Sequence, residues 1–198
     1  AVAAARMLFL DGYCVTVLLC GNRDRETEEC RLQRSIAEKL GIPVVEWTDF
    51  IPGRCQVLID GVFGVGLSRD VEGDYREFLE MLTRQERELT VAVDIPSGIH
   101  SDTGRVMGTA LKADVTVTFG WEKRGTVLYP GRDFAGQVVI GDIVFPQLSL
   151  KKAAQEQEEG KSLAFTYGPG DLRLIPQRPA YSNKGTFGHV LIVAGSVN

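Results

Sequence analysis

The chain has no apolar run approaching the ~20 residues needed to cross a bilayer, no basic stripe, and no cysteine or Cys/His grouping at zinc-binding spacing. Each absence removes a class of function. Without an apolar run, no membrane span is expected. Lys and Arg (22) are outnumbered by Asp and Glu (26), the formal net charge is -4, and the two signs are interspersed. Nucleic acid is therefore not expected as a partner, because binding it requires clustered cations that neutralise phosphates. The four cysteines, Cys14, Cys20, Cys30 and Cys55, form no CxxC pair, and most lie in or beside apolar segments. They read as reduced core thiols of a cytosolic protein. There are only two histidines, His100 and His189. Both are isolated and neither is assigned a role.

What is present is the composition of a soluble globular domain with some extra length: 198 residues, 44% hydrophobic and 24% charged. The chain opens on the helix-forming run AVAAARMLFLDGY without a capping residue, and it closes on the apolar strand GHVLIVAGSVN. Both ends are expected to be cut inside a fold, so targeting signals cannot be judged. Between them strand and helix alternate. YCVTVLLCG, IPVVEW, CQVLIDG, ELTVAVD, ADVTVTFG and GQVVIGDIVF read as strands. In NRDRETEECRLQRSIAEKLG, Leu32, Ile36 and Leu40 recur every four residues before Gly41, predicting a surface helix with a glycine cap. VEGDYREFLEMLTRQER is expected to turn Tyr75, Phe78, Leu79 and Leu82 inward. Alternation of this kind predicts a three-layer α/β/α sandwich with a mostly parallel, Rossmann-like sheet.

In such sheets ligands lie beyond the carboxyl ends of the strands. Two segments share one design: QVLIDGVFGVGLSRD and TVAVDIPSGIHSD each run from an apolar strand into an acid (Asp60, Asp94) and then a glycine-containing loop. Two acids at one sheet edge suffer desolvation and repulsion unless a cation or hydrogen-bond donors compensate them, which marks a candidate site. A strand-end Asp also caps turns, so either acid alone decides nothing. Gly64 and Gly66 would let backbone N–H groups approach a ligand, with Ser68 and Arg69 near an anion. Pro96 stiffens the next turn, while Ser97 offers a hydroxyl oxygen and neighbouring carbonyls suited to a hard cation.

Three motifs, LIDGVFGVGLSRDVEGDY, VAVDIPSGIHSDTG and ADVTVTFGWEKRGTVLYPGRDFAGQVVIGDIVFP, resemble in order and spacing the NAD(P)H-hydrate epimerase domain. The later run SNKGTFGHVLIVAGS resembles the opening of an ADP- or ATP-dependent NAD(P)H-hydrate dehydratase domain. The resemblance implies an epimerase-like domain over residues 1–146, a polar linker over 147–162 and the start of a dehydratase (ribokinase-like) domain over 163–198. It implies Asp94 as the proton-transfer group and Asp60 and Ser97 as ligands of a potassium ion. Substrate contacts would come from Gly64, Val65, Gly66, Leu67, Ser68, Arg69, Asp70, Asp94 and Lys123. It further implies hydrated NADH or NADPH as substrate, ADP or ATP for the dehydratase part, a homodimer or higher homo-oligomer, and a cytoplasmic setting. The family pattern includes an Asn-Asn-Gly-Gly-Asp loop before the helix that starts here at Ala1, and that loop does not occur in these 198 residues. A non-catalytic nucleotide- or RNA-binding scaffold on the same fold is the alternative, and a pure scaffold has no need of the two strand-end acids.

Overall fold

The structure, a computed structural model, describes residues 1–144, 169–174, 179–183 and 185. The chain divides into two compact units, Ala1–Gln155 and Glu156–Asn198. In the second, the described part is a 3-10 turn at Pro169–Leu174 and a short turn closed by the Ser182 amide on the Pro179 carbonyl (3.1 Å). The expected linker 147–162 and most of 163–198 lie outside the described residues.

The first unit runs α1 (Val2–Leu10), β1 (Val17–Leu19), α2 (Glu28–Lys39), β2 (Val44–Glu46), β3 (Cys55–Asp60), α3 (Gly73–Arg84), β4 (Arg87–Val93), β5 (Val115–Phe119), α4 (Arg124–Val127), α5 (Gly131–Ala135) and β6 (Gln137–Gly141). All six expected strands are present and every ladder between them is parallel. They do not form one sheet, however. β1 pairs only with β2, and a separate sheet runs β3-β4-β5-β6, so one edge of β1 and one edge of β3 have no ladder partner among the described residues.

Period-two alternation explains the layering. On β1, Val17 and Leu19 pack with Ala5 of α1, Ala37 of α2 and Ile42, while Leu18 points the other way, toward Phe78, Leu79 and Leu82 of α3. Helices therefore cover both faces of β1. α3 buries its expected stripe, and its last turn is closed by the Arg87 guanidinium, which donates to the carbonyls of Leu82 (2.8 Å), Thr83 (3.2 Å) and Gln85 (2.8 Å). Arginine there satisfies the carbonyls a helix end leaves over. α2 begins at Thr27, whose hydroxyl accepts from the Cys30 amide (3.2 Å).

Two expectations are corrected. Leu32 is 59% exposed, and the buried side of α2 centres on Ala37. A four-residue spacing overshoots the helical period of 3.6, so eight residues from Leu40 to Leu32 rotate about 80° off the inner face. The cysteines are free but are not core thiols: Cys14 and Cys30 are exposed, and Cys20 and Cys55 are half-buried. Cys14 lies in the coil before β1, Cys30 in the first turn of α2, Cys20 just after β1 and Cys55 at the start of β3, none of them mid-element. Half-buried Cys20, near Asp74 and Glu46, is nevertheless held as a thiol, its pKa pushed up to about 12 chiefly by burial. No helix among the described residues is long and apolar enough to cross a membrane.

Candidate active site at the carboxyl edge of three strands

The register carries the two acids to one edge. Asp60, the last residue of β3, lies level with Ala92 of β4, and Val93 lies level with Val117 of β5. One step on, Asp94 leaves the strand and its amide donates to the Val117 carbonyl (2.7 Å). Its φ is +72°, a left-handed backbone that costs a non-glycine residue on the order of 1 kcal/mol and that Asp tolerates better than most. The turn swings the carboxylate toward the end of β5. There Oδ1 accepts from the Phe119 amide (3.1 Å), lies 3.2 Å from the Thr118 hydroxyl and receives the Lys123 ammonium. Asp94 and Lys123 are each about one-fifth exposed. The other oxygen, Oδ2, has no protein donor among the described residues.

Asp60 lives in different surroundings. It is 1% exposed, and three protein donors converge on it: the Ser97 hydroxyl (2.6 Å) and the Val62 amide (3.4 Å) on Oδ1, and the Ser97 amide (2.8 Å) on Oδ2. No cationic side chain pairs with it among the described residues. Burial raises its carboxyl pKa above the ordinary 3.8, and the bonds from Ser97 and Val62 pull the other way without cancelling the effect. A carboxylate offers about four lone-pair positions, of which three are taken. One remains for a cation, and a buried, uncompensated acid is where a cation stabilises most.

The donor chemistry therefore fits potassium. Around Asp60 the oxygens are the Ser97 hydroxyl and the Phe63 carbonyl, 3.5 Å apart, both neutral and hard. The described residues hold no grouping of three or more His, Cys, Asp or Glu able to bind a metal, so the site is one carboxylate with neutral oxygens. The Ser97 carbonyl accepts from the Leu111 amide (2.9 Å).

The segment that follows Asp94 is tied down by backbone hydrogen bonds. Met107 donates to the Gly98 carbonyl (2.7 Å) and His100 to Arg105 (2.9 Å). Gly98 has φ +94°, and a Cβ there would lie 1.9 Å from the Thr109 carbonyl oxygen, so only glycine fits. Three residues from Asp94, Ser97 is fully buried, which couples the two acids through a rigid turn.

The 64–70 loop is joined to this corner at its start, where the Phe63 amide donates to the Ser97 hydroxyl (2.9 Å). Leu67 packs against the α3 core and the Ser101 hydroxyl reaches the Val65 carbonyl (3.3 Å). Ser68, Arg69 and Asp70 stay exposed and are not brought against either acid. Gly64 and Gly66 do not have left-handed backbones, and a Cβ on either would meet nothing within 4 Å. Nothing among the described residues requires glycine at these two positions.

Thr118 and the amides of Val62 and Phe119 escaped the sequence reading. The signal for Thr118 was available: in VTVTF the two threonines alternate with valines, placing hydroxyls on a strand face that turns out fully buried. The amides carry no side-chain signature at all. Two shallow clefts elsewhere, around Gln85 and Glu86 at the amino ends of β3 and β4, contain none of the expected site residues.

A parallel α/β sheet with two acids and a lysine at its carboxyl edge places these groups where sheets of this class bind ligands. The sequence profile described as YjeF-related protein N-terminus matches residues 1–125, and the chain belongs to that family. It is similar to an NAD(P)H-hydrate epimerase of Oenococcus oeni, 40% identical over 142 residues that cover 72% of this chain and 67% of that protein. It is 41% identical over 140 residues to the bifunctional NAD(P)H-hydrate repair enzyme Nnr of Thermofilum pendens, covering 71% of this chain and 25% of that one. The Nnr enzyme of Coxiella burnetii is 28% identical over 191 residues, 96% of this chain and 38% of its own length. The chain thus spans about two thirds of the epimerase relative and well under half of the bifunctional ones. Among solved structures, yeast ynu0 shares the fold, with a TM-score of 0.63 at 19% identity over 76% of this chain and 64% of that one.

Proposed function

We propose that the protein interconverts the R and S forms of hydrated NADH and NADPH. The observation that carries this is the Asp94 carboxylate, with one oxygen pinned by Lys123, Phe119 and Thr118 and the other open, at the ligand-binding edge of the sheet. Hydration at C6 of the dihydronicotinamide ring makes a carbinolamine carbon. Epimerising it means opening or dehydrating that centre to an iminium-like cation and returning the oxygen from the other face. A single carboxylate serves both halves. Asp94 Oδ2 moves the proton of the departing and returning oxygen, and its negative charge lies beside the cationic intermediate. Lys123 acts through Asp94: its three N–H donors are taken by Asp94 Oδ1, the Thr118 hydroxyl (2.9 Å) and the Phe119 carbonyl (2.9 Å).

Asp60 and Ser97 would hold a potassium ion, which supplies positive charge for loop order and for the phosphates of the dinucleotide. The loop Gly64, Val65, Gly66, Leu67, Ser68, Arg69 and Asp70 would border the substrate, its two glycines facing open space. Beyond residue 162 the chain would begin a dehydratase domain using ADP or ATP, a reading supported by SNKGTFGHVLIVAGS and by the near-complete alignment with the Coxiella enzyme. A homo-oligomer in the cytoplasm completes the proposal. The test starts from one purified epimer of the hydrate and follows the other by chromatography. Protein-dependent equilibration is expected; a rate no faster than buffer alone would overturn the proposal.

A further inference from the structure

We propose that Thr118 is a positioning residue that locks the Asp94–Lys123 pair so that only Oδ2 of Asp94 is available to the substrate, an inference that rests on the epimerase reading above. Thr118 is 0% exposed, and a hydroxyl buried to that degree needs partners. Its oxygen accepts from Lys123 Nζ at 2.9 Å, and it lies 3.2 Å from Asp94 Oδ1 and 3.3 Å from the Trp121 carbonyl. One hydroxyl proton faces two acceptors. It can rest on Asp94 while the carboxylate is ionised and turn to the Trp121 carbonyl when Asp94 takes a proton and becomes the weaker acceptor.

The count of donors makes the hydroxyl matter. Lys123 has three N–H groups and three acceptors, one of them Thr118. Without that acceptor, a partly buried ammonium is left with one unsatisfied proton, and the carboxylate it already holds through Oδ1 offers a second oxygen with no protein donor among the described residues. The lysine would then turn onto the oxygen that must stay open. A hydrogen bond to a charged group at such a site corresponds to about 10- to 100-fold in rate.

Thr118→Val keeps the side chain's shape and removes the hydroxyl, whereas Thr118→Ser keeps the hydroxyl and removes the methyl. The expected result is that kcat for epimerisation falls about 10- to 100-fold in the valine variant with KM changed by less than about threefold, and that the serine variant recovers to near wild type. Retention of kcat in Thr118→Val, an equal loss in Thr118→Ser, or a loss confined to KM would overturn the proposal. Should valine not fold at this buried position, Thr118→Ala removes the hydroxyl without adding bulk, with the same expectation. A second readout is independent of activity: the side-chain ammonium resonance of Lys123 in a proton–nitrogen NMR spectrum, slow to exchange in wild type and Thr118→Ser and lost in Thr118→Val. Absence of epimerisation in the wild type together with this ammonium pattern would sink the functional reading alone; an unchanged ammonium signal in the valine variant would sink the positioning role alone.

Discussion

Asp60 and Asp94 end neighbouring parallel strands, are linked through the turn from Asp94 to Ser97, whose serine donates to Asp60, and share almost nothing else. Asp60 is sealed in, surrounded by neutral donors, and its pKa is pushed up by burial. Asp94 is partly open, sits on a left-handed backbone and shares its charge with a lysine, leaving one oxygen without a protein donor among the described residues. Under the proposed function, the same residue type at the same place in two repeated strand-to-loop designs would do two jobs. Burial without a cation suits a residue that organises the corner and seats an ion, whereas a pinned carboxylate with one open oxygen suits proton transfer. Strand-end position marks a candidate site, and the donors around each oxygen are the basis for the role proposed for each acid.

Substitutions that exchange these environments should separate the two roles. Asp94→Asn preserves shape and tolerance of the left-handed backbone, so epimerisation should fall by roughly 10²- to 10⁴-fold while unfolding free energy moves by less than about 1 kcal/mol; steady-state rates and denaturant titration measure the two. Asp60→Ala should show the opposite balance. It strands the Ser97 and Val62 donors in the interior and should cost about 2–4 kcal/mol of stability by denaturant titration. Ser97→Ala removes the hydroxyl between Asp60 and the Phe63 amide and should cost about 1–2 kcal/mol by the same measurement. The smallest effect is ionic. A carboxylate whose folded pKa is raised costs nothing while protonated and destabilises the fold as pH rises through that pKa. Potassium should therefore raise the unfolding midpoint near neutral pH, by about 1 kcal/mol over an equal concentration of a bulky organic cation. That difference should vanish as pH falls toward the ordinary carboxylate range. A potassium effect independent of pH would separate the ion from Asp60.

Much of this fold was legible because alternating strands and amphipathic helices leave a periodic record. VLL, CQVLID and VTVTF announce strands, and Phe78, Leu79 and Leu82 announce the inner face of α3. The division into two sheets was not legible, since pairing partners leave no local trace in a short apolar run. The acids were found because a charge at the end of a greasy strand is anomalous. Thr118 was not, because a threonine in a strand is unremarkable until burial is known. The left-handed turn at Asp94 was hidden for a related reason: Asp tolerates that conformation, so no glycine marks it.

The most direct test is chemical rescue in Asp94→Gly, since glycine accepts a φ of +72° without strain and leaves the carboxylate's space empty. Epimerisation of a purified hydrate should be nearly lost in this variant and should return as formate is added, with no effect of formate on the wild type. An Asp94→Gly enzyme that works at the wild-type rate without formate would show that the open carboxylate oxygen is not what moves the proton.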